Sequence, residues 1–481
     1  MIVLYVTNRR RVWLTVAIGS AGIVLALTIA AAATFDASSA GIQFEQRLSW
    51  IPSLGATWHI GIDGLSLPLV GLTALLTFLS LLFAAKDDRY PREFFALFLV
   101  MESGLLGVFC SLDLLLFYLF FEVALVPMYF IIGLFGHEKR IKAALKFFLY
   151  TRVGSLAMLL SILALYVKTA PRTFDLAAIV AAHPYAGAGP AASLVLLGFL
   201  IGFAIKLPVV PFHSWLPDAH TEAPTEGSVM LAGVLLKLGG YGFLRVALPT
   251  LPEAFSAWAA PIATLAVISA IYGAAVAMAQ PDLKRLVAFS SVNHMSYVLL
   301  GVAAASVAGA KMADRAAAAT GASYQLVAHG LVTGALFFLV GILADRTKTR
   351  EIARLSGIWK ALPLYGSITA FMMFASFGLP PLVHFAAEVQ IVLGTLAVFP
   401  WGAAGMLFAI VITTAMFIWT IQRVLMGPLP DEWASLAPLT KIELATTFSL
   451  VALVLLLGVI PGPLVNIIEL ALTRGPFAAV R

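Results

Sequence analysis

The chain has 481 residues, 61% of them hydrophobic and only 11% charged, with a mean hydropathy of +0.99. Soluble domains carry about 25% charged residues, and a soluble protein this apolar would expose patches that aggregate, so the composition specifies an all-α polytopic membrane protein. The net charge of +6 and pI near 9.3 do not point to nucleic acid, because the bases sit in short loops, where they set membrane orientation. Cys110 is the single cysteine and lies in an apolar run. Without a CxxC, a cysteine cluster or a GxGxxG at a strand-to-helix junction, Fe–S, c-haem and dinucleotide sites are unsupported, and no cofactor is expected on this chain.

Thirteen apolar spans approach the ~20 residues that a helix needs to cross a bilayer. They fall near 12–35, 64–85, 94–111, 113–134, 145–168, 192–217, 224–249, 258–280, 285–308, 322–344, 362–398, 403–426 and 447–470. Residues 1–93 read as N-terminal helices with an outer loop, partly ordered, at 36–63. Residues 94–249 and 250–430 read as two half-channels, and 431–481 as a C-terminal helix. The spans at 192–217 and 362–398 are long and broken, by Pro208 and Pro211 and by Pro380 and Pro381. Prolyl breaks in corresponding positions of two repeats are the sequence pointer to a transporter site. With the N-terminus inside, nineteen Lys and Arg fall on the inner side and seven on the outer. That bias predicts N-inside, C-outside and an odd number of spans. The start carries Arg9, Arg10 and Arg11 before a full span, with no cleavage site, so it is not a removable signal.

Charged groups at bilayer depth cost about 2.5–3.5 kcal/mol on insertion scales and mark ion or substrate paths. Lys206 and Lys237 both sit in apolar spans, on either side of the first break and its loop. Glu122 lies alone in its span, Glu388 follows the second break, and His384 is one turn before Glu388. His294 and His329 each occupy their own span and suit a proton relay. No pair of these histidines has ligand spacing within one helix, so no metal is expected. His213, Asp218 and His220, with Glu222 and Glu226, cluster in the loop after the first break and read as a hydrated mouth feeding Lys206. Arg152, one turn inside its span, reads as a snorkelling side chain.

The runs FYLFFEVALVPMYFIIGLFG, KLPVVPFHSWLPDAHTEAPTEGSVMLAGVLLKLGGYGFLR and QPDLKRLVAFSSVNHMSYVLLG resemble the antiporter-like membrane subunits of respiratory complex I, within them the M type (chain 4 in mitochondria). The resemblance covers about residues 45–470. It implies two inverted-topology repeats with two discontinuous helices and about 13–14 spans. It assigns Glu122 as the ion-pair partner of Lys206, Lys237 as the central lysine, His294 and His329 as the path beyond it, and Glu388 as the terminal carboxylate. Three features depart from the family pattern. The family's first helix is missing or reduced to residues 1–7, LPPLVHFAAEV stands where LPGxxGFxGEF is usual, and Arg152 adds a cation where neutral polar residues are usual.

The resemblance implies a proton-translocating subunit of an NADH-quinone oxidoreductase in the bacterial inner membrane. It would act without redox chemistry of its own, with quinone, FMN and Fe–S clusters in partner subunits, and would pack against L- and N-type sister subunits and lipid. The alternatives are an Mrp-type cation/proton antiporter subunit, a membrane hydrogenase subunit, and a structural bundle subunit without a proton path.

Overall fold

The computed structural model describes residues 9–480, and the expected remnant of a first helix at residues 1–7 lies outside them. Among the described residues, eleven helices are long and apolar enough to cross a membrane, and two further crossings are each made of two half-helices, thirteen in all, the number expected. In chain order they are α1 (Arg10–Thr34), α2 (Leu67–Ala84), α3 (Arg92–Cys110), α4 (Leu114–Phe135) and α5 (Arg140–Lys168). The broken pair α6 (Pro190–Lys206) and α7 (Trp215–Glu222) follows, then α8 (Thr225–Thr250), α9 (Ala259–Met278), α10 (Leu283–Ser306) and α11 (Met312–Thr347). The second broken pair is α12 (Pro363–Ser376) and α13 (Val383–Val398), before α14 (Pro400–Leu425), α15 (Lys441–Val459) and the short α16 (Gly462–Arg474).

The outer loop is more ordered than its mixed composition suggests. It forms a hairpin of β1 (Gln43–Ile51) and β2 (Ala56–Ile62), antiparallel, with Arg47 opposite His59 and Leu48 opposite Trp58. Gly55 closes the turn at φ +65, where a Cβ would stand 2.6 Å from the Arg172 carbonyl oxygen. The buried His59 bonds Asp175 Oδ2 at 2.8 Å and Glu45 Oε1 at 2.7 Å, which fastens the hairpin to the chain after α5. The Asp175 hydrogen bond, seconded by Glu45, favours the charged imidazole and holds it above the usual histidine value against the cost of burial.

Two halves of the bundle repeat each other in detail. Asp113 caps α4, accepting from Leu115 N at 2.9 Å and Leu116 N at 3.2 Å, and Asp282 caps α10, accepting from Arg285 N at 2.9 Å. Each cap is clasped by two backbone bonds. Leu114 N donates to Phe174 O at 2.8 Å and Leu176 N to Leu112 O at 2.9 Å, while Leu283 N donates to Arg350 O at 2.9 Å and Ile352 N to Pro281 O at 2.8 Å. Close helix approach repeats too. A Cβ on Gly104 of α3 would stand 2.7 Å from Ala124 N, and one on Gly273 of α9 would stand 2.7 Å from Asn293 N. The breaks share one backbone: Val209 N donates to Ala204 O (3.0 Å) and Phe212 N to Val209 O (2.7 Å), as Leu379 N does to Phe374 O (3.1 Å) and Leu382 N to Leu379 O (2.8 Å). An odd number of crossings, α4 to α9, separates the two caps, so the second unit runs from the opposite face and the repeats are inverted.

At the centre lie α8, α10 and α11, whose membrane spans are fully buried, whereas α1 lies mostly exposed at the edge of the bundle. These three helices and the broken pairs carry Lys206, Lys237, His294, His329, His384 and Glu388, all buried.

Candidate functional site

Lys237 lies on α8 between two π-helical turns, Leu231–Leu235 and Phe243–Ala247. Such turns disturb the regular ladder and are found mostly at functional sites. Its Nζ donates to the Ala232 carbonyl and meets His329 Nδ1 of α11 at 2.7 Å. The His294 ring of α10 is centred 5.6 Å from His329 and 4.9 Å from His384 of α13. His384 Nδ1–H donates across the break to the Ser376 carbonyl of α12 at 2.9 Å, which turns Nε2 into the interior. Glu388, one turn along α13, brings a carboxylate oxygen within 4.8 Å of the donor nitrogens of His294 and His384. Gly378, at φ +77, gives that carboxylate its place, since a Cβ there would overlap Glu388 Oε2. Lys237, His329, His294, His384 and Glu388 thus form one buried line.

The first half is built differently. Lys206 is the last residue of α6, the helix end where a cation is favoured. Its Nζ stands 5.1 Å from the Phe121 ring centre and 5.6 Å from that of Phe147. It has no hydrogen-bond partner among the described residues. The expected contact between Glu122 and Lys206 is not made. Arg152 of α5 reaches across to α4 and pairs with Glu122 Oε2 instead, leaving Oε1 buried without a partner. Arg152 reaches Glu122 across the α4–α5 groove, whereas Lys206 Nζ lies over the ring of the preceding residue, Phe121. Arg152, read as snorkelling to the boundary, is turned to Glu122 with its side chain 44% exposed.

The loop residues after the first break do not converge into one mouth. His213 packs against Tyr272 with ring centres 5.2 Å apart. Asp218 pairs with Lys146 at 2.7 Å and Arg285 at 3.4 Å. His220 turns inward and stacks on Phe337 at 4.6 Å, with neither ring nitrogen partnered. Glu222 accepts from Lys139 N at 2.8 Å, and Glu226 accepts from the Tyr90 hydroxyl at 3.1 Å. Asp218 and Glu222, one turn apart on α7, line one small cavity with Lys139, Lys142 and Arg285, while His213, His220 and Glu226 turn elsewhere, so the five do not form one cluster. Sequence reading also passed over the buried pair of Arg245 and Asp63, at 2.5 Å, which ties α8 to the chain leaving the hairpin. An arginine within a span requires a carboxylate somewhere, which was the available signal.

Comparison with known proteins agrees with this architecture. A family model described as NADH:quinone oxidoreductase/Mrp antiporter, transmembrane, matches residues 111–416. The chain is 40% identical over 447 residues to NADH-quinone oxidoreductase subunit M of Rhodobacter capsulatus, covering 91% of this chain and 85% of that protein. It is 37% identical to F(420)H(2) dehydrogenase subunit M of Methanosarcina mazei, covering 92% of this chain and 88% of that one. It superimposes on a chain of respiratory complex I from Thermus thermophilus with TM-score 0.85 and 33% identity over 95% of each chain. In fold alone it is also similar to a chain of the Mrp complex from Dietzia sp., with TM-score 0.81 and 21% identity over 98% of this chain and 94% of that one. The chain belongs to the family of antiporter-like membrane subunits shared by NADH:quinone oxidoreductases and Mrp antiporters.

Proposed function

We propose that this chain moves protons across the membrane as the M-type subunit of an NADH-quinone oxidoreductase, driven by quinone reduction in partner subunits. The observation that carries the reading is the buried row of ionisable groups from Lys237 through His329 and His294 to Glu388. Ionisable groups inside a span are expensive and are kept for pathways. Imidazoles suit the intermediate steps because they take and return protons near neutral pH.

Lys206 is the loading group of the first half. Glu122 has two positions, one on Arg152 and one on Lys206. When Glu122 sits on Lys206 it holds the proton there. When it turns to Arg152, the unpaired ammonium of Lys206 passes its proton on to Lys237. From Lys237 the proton goes to His329, then to His294, and leaves by Glu388. The face that carries Lys86, Arg89, Lys139, Arg285, Arg346 and Arg350 is the inner one, and the hairpin face is the outer. Redox cofactors belong to the partners, and the flanks of the bundle contact L- and N-type sister subunits.

Lys237→Ala tests the reading in the assembled complex, in sealed vesicles. The expected result is quinone reduction with proton pumping through this subunit lost, and full pumping by the variant overturns it. Sodium flux in vesicles holding this chain without redox partners would place it with the antiporters instead.

A further inference from the structure

We infer that His294, His384 and Glu388 form a binding site for a divalent transition-metal ion, Zn2+ by their donor set. His384 and Glu388 are four residues apart on α13 and project from one face of it. His294 on α10 supplies the third corner, and one donor atom from each of the three lies within 4.8 Å of the others. Zinc bonds to nitrogen and oxygen are about 2.0–2.2 Å long, which brings tetrahedral donors to roughly 3.3–3.6 Å of one another. Small rotations of the three side chains close that gap. Two imidazoles and one carboxylate with an open fourth position are the ligand set of many zinc sites.

The atoms aimed at this point are the ones the protein leaves without partners. They are a ring nitrogen of His294, Nε2 of His384 and Oε1 of Glu388, all on buried side chains. Buried polar atoms are as a rule hydrogen-bonded, so three of them facing one small volume mark a place for a ligand. The far side of His384 is arranged as in a metal ligand. Its Nδ1–H donates to the Ser376 carbonyl at 2.9 Å, which fixes the tautomer and presents the Nε2 lone pair to the site. The same bond makes His384 a poor link in a proton wire, because a carbonyl cannot pass a proton onward. A proton taken at Nε2 has to leave from Nε2.

An ion held here takes the lone pairs of His294 and Glu388 that protons would use. Zinc is therefore an inhibitor of the path, a consequence that rests on the proposed proton relay, whereas the binding itself does not. The test uses the assembled complex in sealed vesicles with Zn2+ as the probe. Bound zinc is counted by metal analysis after gel filtration, and pumping is read against each variant's own metal-free rate. The wild-type complex should hold one more zinc than the His384→Ala complex, and its half-inhibiting zinc concentration should be at least about tenfold lower, the scale of perturbing one group at a zinc site. His384→Cys, which restores a zinc-binding side chain, should regain both properties and guards against a merely misfolded alanine variant. With Co2+ as probe, visible d–d bands of a tetrahedral site should appear in the wild type and be absent from His384→Ala. Equal zinc content and equal inhibition in wild type and His384→Ala overturn the site. If zinc binds as expected but leaves pumping untouched, the relay reading fails while the metal site stands.

Discussion

The two helix breaks have one backbone and opposite chemistry. At the first, the ionisable group stands before the break: Lys206 ends α6 among aromatic rings, and its carboxylate neighbour is held to one side by Arg152. At the second it stands after the break: Glu388 of α13 curls back to Gly378 and is faced by two histidines. The matching hydrogen bonds place Ser376 where the first half has Lys206, and place Asp218 where the second half has Glu388. Asp218 is spent on a partly exposed pair with Lys146 and Arg285. The fold therefore fixes where the chain can bend in the membrane, and single residues decide whether each bend carries a cation or a carboxylate.

This contrast can be broken most forcefully at the carboxylates. Glu388→Gln should lower pumping by ~10²-fold or more, the scale of losing one group that transfers the proton. Glu122→Gln, at the side-held carboxylate, should lose less than about tenfold. Equal losses in vesicle acidification would erase the difference between the halves. Next in size, Gly104→Ala and Gly273→Ala each force a Cβ onto a neighbouring helix backbone and should cost ~1–3 kcal/mol, the usual range for overpacking. The two losses should match in thermal unfolding, and a large disparity would weaken the repeat. Smaller still is Arg152→Gln. A partly exposed ion pair contributes up to ~1 kcal/mol, so thermal unfolding should shift by a few degrees at most, with Glu122 left free to pair with Lys206. Infrared difference spectra of the Glu122 carboxylate should register the new partner.

The smallest effect lies outside the membrane. Because Asp175 and Glu45 raise His59 above the ordinary histidine value of 6.5, its contribution to hairpin docking is complete below that value. It is lost as pH rises through the folded-state value. Limited proteolysis of the hairpin should be faster at pH 8.5 than at pH 5.5, and His59→Gln should abolish the difference.

Thirteen crossings, both breaks and the buried charges were legible in the sequence, because apolar length, proline and an ion at bilayer depth each leave a local mark. The hairpin at 43–62 was not, since its outward strand faces solvent and shows no clean alternation. Partnerships were the other gap. Glu122 was matched to Lys206 by resemblance, but Arg152 is nearer in space, and no spacing rule reports which of two cations wins. The His294–His384–Glu388 cluster was hidden because its third member comes from a different helix.

The two backbone clasps also order events during synthesis. The chain is made from its N-terminus, and domains form in that order. The clasp joining Leu112 and Leu114 to Phe174 and Leu176 is complete in sequence before Lys206 is added. Helices α4 and α5, with Phe121 and Phe147 on them, therefore precede Lys206 into the membrane and can be fastened together by the time it emerges. Lys206 is then delivered against protein walls already in place, and it escapes the larger cost of meeting bare hydrocarbon.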